Sequence, residues 1–170
     1  MTDKFEALVH FLISECENPA RLGATRLNKA IWFADVASFK AYGKPVTDSK
    51  YIKRQRGPVP ATILACIEKL EKEGKVAVTE PQENYDPRKF ISLKEPDVGC
   101  LSERDIKVAR HVLDVVINYA ASELSEATHD LIWEVAEFGE EIPLVATLAS
   151  TQGAITDSVT EWADREISRL

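Results

Sequence analysis

The sequence predicts an α+β fold, mainly α-helical. It reads as a single compact domain with a central buried helix and a small antiparallel β-sheet or hairpin. Three observations carry this. Apolar residues recur at helical spacing along most of the chain. The stretch from Ala30 to Phe39 is apolar on more than one side, as befits a helix in the middle of a domain. Two short alternating segments, KVAVT and KFISLK, flank a polar loop as a hairpin does. A chain of 170 residues with 45% hydrophobic and 29% charged residues suits one hydrophobic core, so one domain over residues 1–170 is expected.

Each element has its own signal. Phe5, Leu8, Val9, Leu12, Ile13 and Cys16 form the stripe of a first helix, which Pro19 obliges to end near Glu17. A second helix is expected from near Thr25, with Gly43 as its C-cap and Pro45 enforcing the stop. Tyr51 to Arg54 reads as a short strand. Gly57-Pro58 reads as the start of a third helix, because proline is tolerated at the first helical position. The stripe of that helix is Val59, Ile63, Cys66, Ile67 and Leu70, and Gly74 ends it. Ser102, with Asp105 three residues on, opens a long helix. Ser125 opens a further helix or turn that Gly139 ends, Pro143 starts a short piece, and a last helix is expected over residues 157–170.

Composition excludes some functions. A net charge of −7 argues against a protein whose main task is gripping phosphate backbones. Cys16, Cys66 and Cys100 are widely spaced and odd in number, which is neither a disulfide framework nor a paired metal site. His10, His111 and His129 are isolated, and neither a nucleophile motif nor a phosphate-binding glycine loop occurs. No cofactor or metal is therefore expected. The acids near the N-terminus rule out a signal peptide or membrane span there, and a cytoplasmic protein is expected.

Asp35 is the residue that needs explaining, an acid inside an apolar helix. It lies seven residues after Asn28, and Lys29 and Ser38 fall near the same side, as in a polar seam. A buried acid requires hydrogen bonds or a positive partner. Arg54, Arg56, His129 and Lys29 are the candidates, and a cation from the Arg54–Arg56 strand or His129 is the expected one. The run Lys50, Lys53, Arg54 and Arg56 is the densest positive stretch and motivates a winged-helix-like, nucleic-acid-binding regulator as an alternative function. A meeting of His129, Asp35 and Arg56 across the core would make an enzyme.

Three stretches in order carry a more specific signal: LNKAIWFADVASFKAYGKPVTD, IKRQRGPVPATI and LSEATHDLIWEVAEFGEEIPL. Together they resemble the SocA-like, or Panacea, antitoxin domain, over a signature portion of about residues 22–148. The matching positions include Lys29, Trp32, Phe33 and Ala34, then Tyr42, Gly43 and Pro45. Gly57, Pro58 and Val59 follow, and then Thr128, His129, Trp133 and Pro143. Arg56 departs from the pattern, since members often carry His there, and the position of Asp35 is variable among them. The resemblance implies a bacterial or phage-associated antitoxin, part of a toxin–antitoxin system, that neutralises a cognate protein toxin by direct contact. It also implies that some members act as proteolytic adaptors toward a cellular protease. It implies neither enzymatic activity nor a cofactor. Self-association stays open. Lys29, Asp35, Arg54, Arg56 and His129 are the polar family or partner positions carried forward.

Overall fold

The computed structural model describes residues 3–79 and 88–148. The polar loop between KVAVT and KFISLK and the expected helix over 157–170 lie outside the described residues. Helix α1 spans Lys4–Glu15, with the Asp3 carboxylate accepting from the Glu6 N–H at 2.8 Å. Helix α2 spans Pro19–Tyr42 but is broken at Gly23, where φ 57 and ψ 167 interrupt the helical path. Its long part thus begins within two residues of the expected start. Gly43 ends it at φ 72, donating its N–H to the Phe39 carbonyl at 2.8 Å.

The structure corrects the reading of Gly57-Pro58. These residues open strand β2 (Gly57–Pro60), which pairs antiparallel with β1 (Tyr51–Arg54), Arg54 facing Gly57 and Tyr51 facing Pro60. Gly57 stands at φ 105, which closes the tight turn and is unsuited to a helix start. Pro58 is tolerated because β2 is an edge strand, with β1 between it and a short strand at Glu141–Ile142 in a three-stranded sheet. Helix α3 begins only at Ile63 and runs to Lys72, burying Ile63, Cys66, Ile67 and Leu70, the stripe expected without Val59. Strands β3 (Val76–Thr79) and β4 (Lys89–Ser92) form the expected hairpin, Val76 facing Ser92.

Helix α4 spans Glu103–Val116 behind a complete capping box. Ser102 Oγ accepts from the Asp105 N–H at 3.2 Å, and Asp105 Oδ2 accepts from the Ser102 N–H at 3.0 Å. The expected helix from Ser125 is instead two short ones. Ser125 sits inside α5 (Ala121–Glu126), and α6 (Leu131–Val135) starts behind Asp130, whose side chain accepts from the Trp133 N–H at 3.0 Å. Asp130 is the better cap because Ser125 Oγ is already donating back to the Ala121 carbonyl at 2.8 Å. Strand β5 (Glu141–Ile142) and a 3-10 turn over Leu144–Leu148 complete the described chain.

Helix α2 is the hub: α1, α4, α5, β2, β4 and the 3-10 turn all contact it. Leu27, Ala30, Ile31 and Ala34 are essentially inaccessible. Arg21 and Arg26 reach from α2 to the carbonyls of Ile117 and Tyr119 and so satisfy groups that the end of α4 leaves unpaired. On the far side of the core, the buried Glu6 of α1 accepts from Lys69 of α3 and from Lys75 just before β3, at 2.5 and 2.9 Å. Burial pushes the Glu6 carboxyl up, but the two lysine hydrogen bonds outweigh it and hold the group below its ordinary value. A depressed folded-state pKa contributes stability that is present above the unfolded pKa and lost as pH falls through the folded one. Glu6→Gln should therefore unfold at lower urea than wild type near pH 7, and the gap should close as the buffer is taken below pH 4.5. A gap that persists undiminished well below pH 4.5, for as long as both proteins stay folded, would contradict the ion-pair account.

Candidate functional site

The polar residues of α2 do not form one seam. Asn28 faces a cleft with Ile63, Ile67 and Phe90, whereas Asp35 turns toward the chain after the helix. Asp35 is wholly buried, and the expected cationic partner is absent from the hydrogen bonds it makes. Its Oδ1 accepts from the Thr47 backbone N–H at 2.8 Å, and its Oδ2 from the Thr47 hydroxyl at 2.5 Å and the Tyr51 hydroxyl at 2.6 Å. Neutral donors take the place of a cation because Arg54 and Arg56 sit at the exposed end of the hairpin, while Tyr51 at its inner end points into the core. Burial pushes the Asp35 carboxyl above its usual range, and the bonds from Thr47, Tyr51 and the Val46 backbone oppose this. Burial and the neighbouring acid also push the Tyr51 phenol well up, so it remains a proton donor. Tyr51 packs edge-on against Trp32, ring centroids 4.7 Å apart. Sequence reasoning missed Tyr51 and Thr47; the only signal was their nearness in the chain to the end of α2.

Lys29 lies on another side of α2, 1% exposed, and donates to the Thr128 hydroxyl, which in turn donates to the Ser125 carbonyl at 2.9 Å. Burial pushes its ammonium down to about 8. Gly57 closes the same space: a Cβ there would overlap both the Lys29 Nζ and the Thr128 hydroxyl. The next residue, His129, stacks on Trp133 at 3.7 Å between centroids and 13° between planes. Its Nε2 is buried without a hydrogen-bond partner among the described residues. Burial, with Lys29 and Lys53 nearby, lowers the His129 pKa, so the ring is neutral near pH 7. Trp133 Nε1 donates to the Arg54 carbonyl at 3.2 Å, and the Lys53 ammonium lies 4.1 Å over the Trp133 ring.

Lys29, Gly57, Thr128, His129 and Trp133 thus form one contact zone where α2, the β1–β2 turn and the α5–α6 segment meet. Five clefts on the described surface are lined by other side chains. His129, Asp35 and Arg56 are not brought together. Arg56 donates to the Thr25 hydroxyl at 3.1 Å, His129 faces Trp133, and Asp35 faces Thr47 and Tyr51. The basic run is likewise engaged locally. Lys50 pairs with Glu141 at 3.0 Å, Lys53 donates to the Ala136 carbonyl at 3.0 Å, and Arg54 lies 5.6 Å from the Phe138 ring. Cys16 and Cys66 are buried, and burial pushes the Cys66 thiol up to about 12, which suits the small hydrophobes expected there. Among the described residues no cluster of three metal-ligating side chains occurs, and no helix is long and apolar enough to cross a membrane.

Two substitutions test this geometry. Asp35→Ala should cost about 3 kcal/mol, because it strands the Thr47 and Tyr51 donors in the core, and Asp35→Asn should cost less because one acceptor remains. Equal stability of Asp35→Ala and wild type in urea unfolding would refute the arrangement. Gly57→Ala should cost roughly 3 kcal/mol, combining a positive φ with overlap on Lys29 and Thr128. A melting temperature unchanged by that substitution would show that the turn has room to spare.

Comparison with known proteins adds a single finding. The family described as antitoxin SocA-like, Panacea domain matches residues 27–134, a span that holds Lys29, Gly57, Thr128, His129 and Trp133. No curated protein and no solved structure matches the chain. With the match covering well over half of the 170 residues, the chain belongs to the antitoxin SocA-like, Panacea domain family.

Proposed function

We propose that this protein is an antitoxin that neutralises a protein toxin encoded beside it by direct contact, in the cytoplasm, and that it works by binding rather than by catalysis. The observation that carries the reading is the family match over residues 27–134. The contact zone around Lys29 supports the binding role. There the motif residues contact one another and hold three parts of the fold in place. Their part is to build the scaffold, and the surface that meets the toxin lies elsewhere. A regulator of nucleic acid is the weaker reading, because the chain carries a net charge of −7 and Lys50, Lys53 and Arg56 of the basic run already bond to Glu141, a backbone carbonyl and Thr25. Presentation of the bound toxin to a cellular protease is a further step that the same contact would permit.

The test is co-expression. The open reading frame next to this gene is induced alone and together with the present chain. Growth arrest by the first and its relief by the second, with the two proteins co-purifying through a tag on either, is the expected result. Arrest that this chain fails to relieve, or relief with no complex formed, would overturn neutralisation by contact.

A further inference from the structure

Leu131 and Val135 stand one turn apart on α6 and are 63% and 76% exposed; Phe138, just beyond, is 69% exposed. Large apolar side chains this open in one short segment mark a surface that something covers. Leu131 and Val135 also line a cleft of about 280 Å³ together with Glu140, Glu141 and Pro143. Its floor is firm, because β5 is hydrogen-bonded to β1, with Tyr51 facing Ile142, and Trp133 and Lys53 tie α6 to the hairpin. The face needs no refolding to receive a partner.

Charge decides what kind of partner. From Ala120 to Leu148 the sequence holds seven Asp and Glu residues and neither Lys nor Arg, so this segment alone accounts for the chain's net charge of −7. Glu134, Glu137, Glu140 and Glu141 are all exposed around the apolar residues. Glu141 pairs with Lys50, and Glu140 accepts from the Glu137 N–H, whereas Glu134 and Glu137 make no described side-chain hydrogen bond or ion pair. A second copy of this chain would bring the same acidic rim against itself, which like charges oppose. Acids do guard exposed strand edges, and β5 is one, but guarding an edge does not call for exposed Leu131 and Val135.

We infer that the α6–β5 face is the docking surface for the neutralised toxin, and that the toxin seats there a cationic segment carrying aliphatic or aromatic side chains. This rests on the antitoxin reading above. The larger groove of Phe33, Val36, Val115 and Tyr119 between α2, α4 and α5 is apolar too, but Glu123, the carboxylate in its lining, already accepts from the Ala120 N–H, and the groove serves as the control.

The experiment uses the full chain and the growth-arresting neighbour protein. Leu131→Asp/Val135→Asp should weaken binding at least about 30-fold in calorimetry and abolish rescue, with the circular dichroism spectrum and melting temperature of the free protein retained. Glu134→Lys/Glu137→Lys should slow association about tenfold at low salt, with the difference disappearing at high salt. Val115→Asp, in the control groove, should bind like wild type. Hydrogen exchange of the wild-type complex should show protection over residues 131–142, a readout that stands even where a variant fails to fold. Wild-type rescue together with undiminished binding by the α6 variants, or protection confined to the Val115 groove, overturns the surface while leaving the antitoxin reading intact. Conversion of an oligomer to a monomer by the α6 variants assigns the face to a second copy and also overturns it. Failure of the wild-type chain to bind or rescue removes the antitoxin reading, and the surface assignment falls with it.

Discussion

Helix α2 carries two ionisable side chains, Lys29 and Asp35, into the buried core, and neither is hydrogen-bonded to an opposite charge among the described residues. An unpaired buried charge is costly, so each must be met by well-aimed neutral groups. For Asp35 these are the Thr47 backbone and hydroxyl and the Tyr51 phenol, which pins the chain leaving α2 and the start of β1. For Lys29 it is Thr128, which pins the end of α5, with Gly57 making room for the ammonium. The hairpin β1–β2 is thus held at its inner end by one α2 residue and at its turn by the neighbourhood of another. Both contacts join segments far apart in sequence to the same helix.

Held this way, the hairpin becomes the platform for the α5–α6–β5 segment. Trp133 donates to the Arg54 carbonyl, Lys53 donates to the Ala136 carbonyl, and β5 pairs with β1. Two members of the positive run, Lys50 and Lys53, are consequently fastened to the most acidic stretch of the chain. These two lysines help hold the acidic face in place, while the outward carboxylates of Glu134 and Glu137 make no described side-chain hydrogen bond or ion pair. Buried polar contacts, hairpin and acidic apolar face are therefore linked in one mechanical chain from core to surface.

Much of this was legible from residues alone. The α1 stripe, the stop at Gly43, the Ser102–Asp105 cap and the β3–β4 pairing rest on local rules, spacing and capping, that act within a few residues of each other. The misreadings share a different character. Pro58 is acceptable both at a helix start and on an edge strand, and only the partner strand decides between them. Ser125 is a good cap until its hydroxyl is taken by the Ala121 carbonyl. The sequence points to a cation as the partner of Asp35 because charge is visible in a sequence, whereas the direction in which Tyr51 points is not.

By itself, then, the sequence determined the helix-rich class, the buried character of α2 and the family whose motifs run from Leu27 to Glu134, because periodicity and motif spacing are properties of the chain. Tertiary structure alone decided which groups satisfy Lys29 and Asp35, that Lys50 and Lys53 of the basic run contact the acidic segment, and that Leu131 and Val135 face outward within an acidic rim. The physical reason is that hydrogen-bond satisfaction and exposure depend on where distant segments come to lie, and packing around α2 sets those positions.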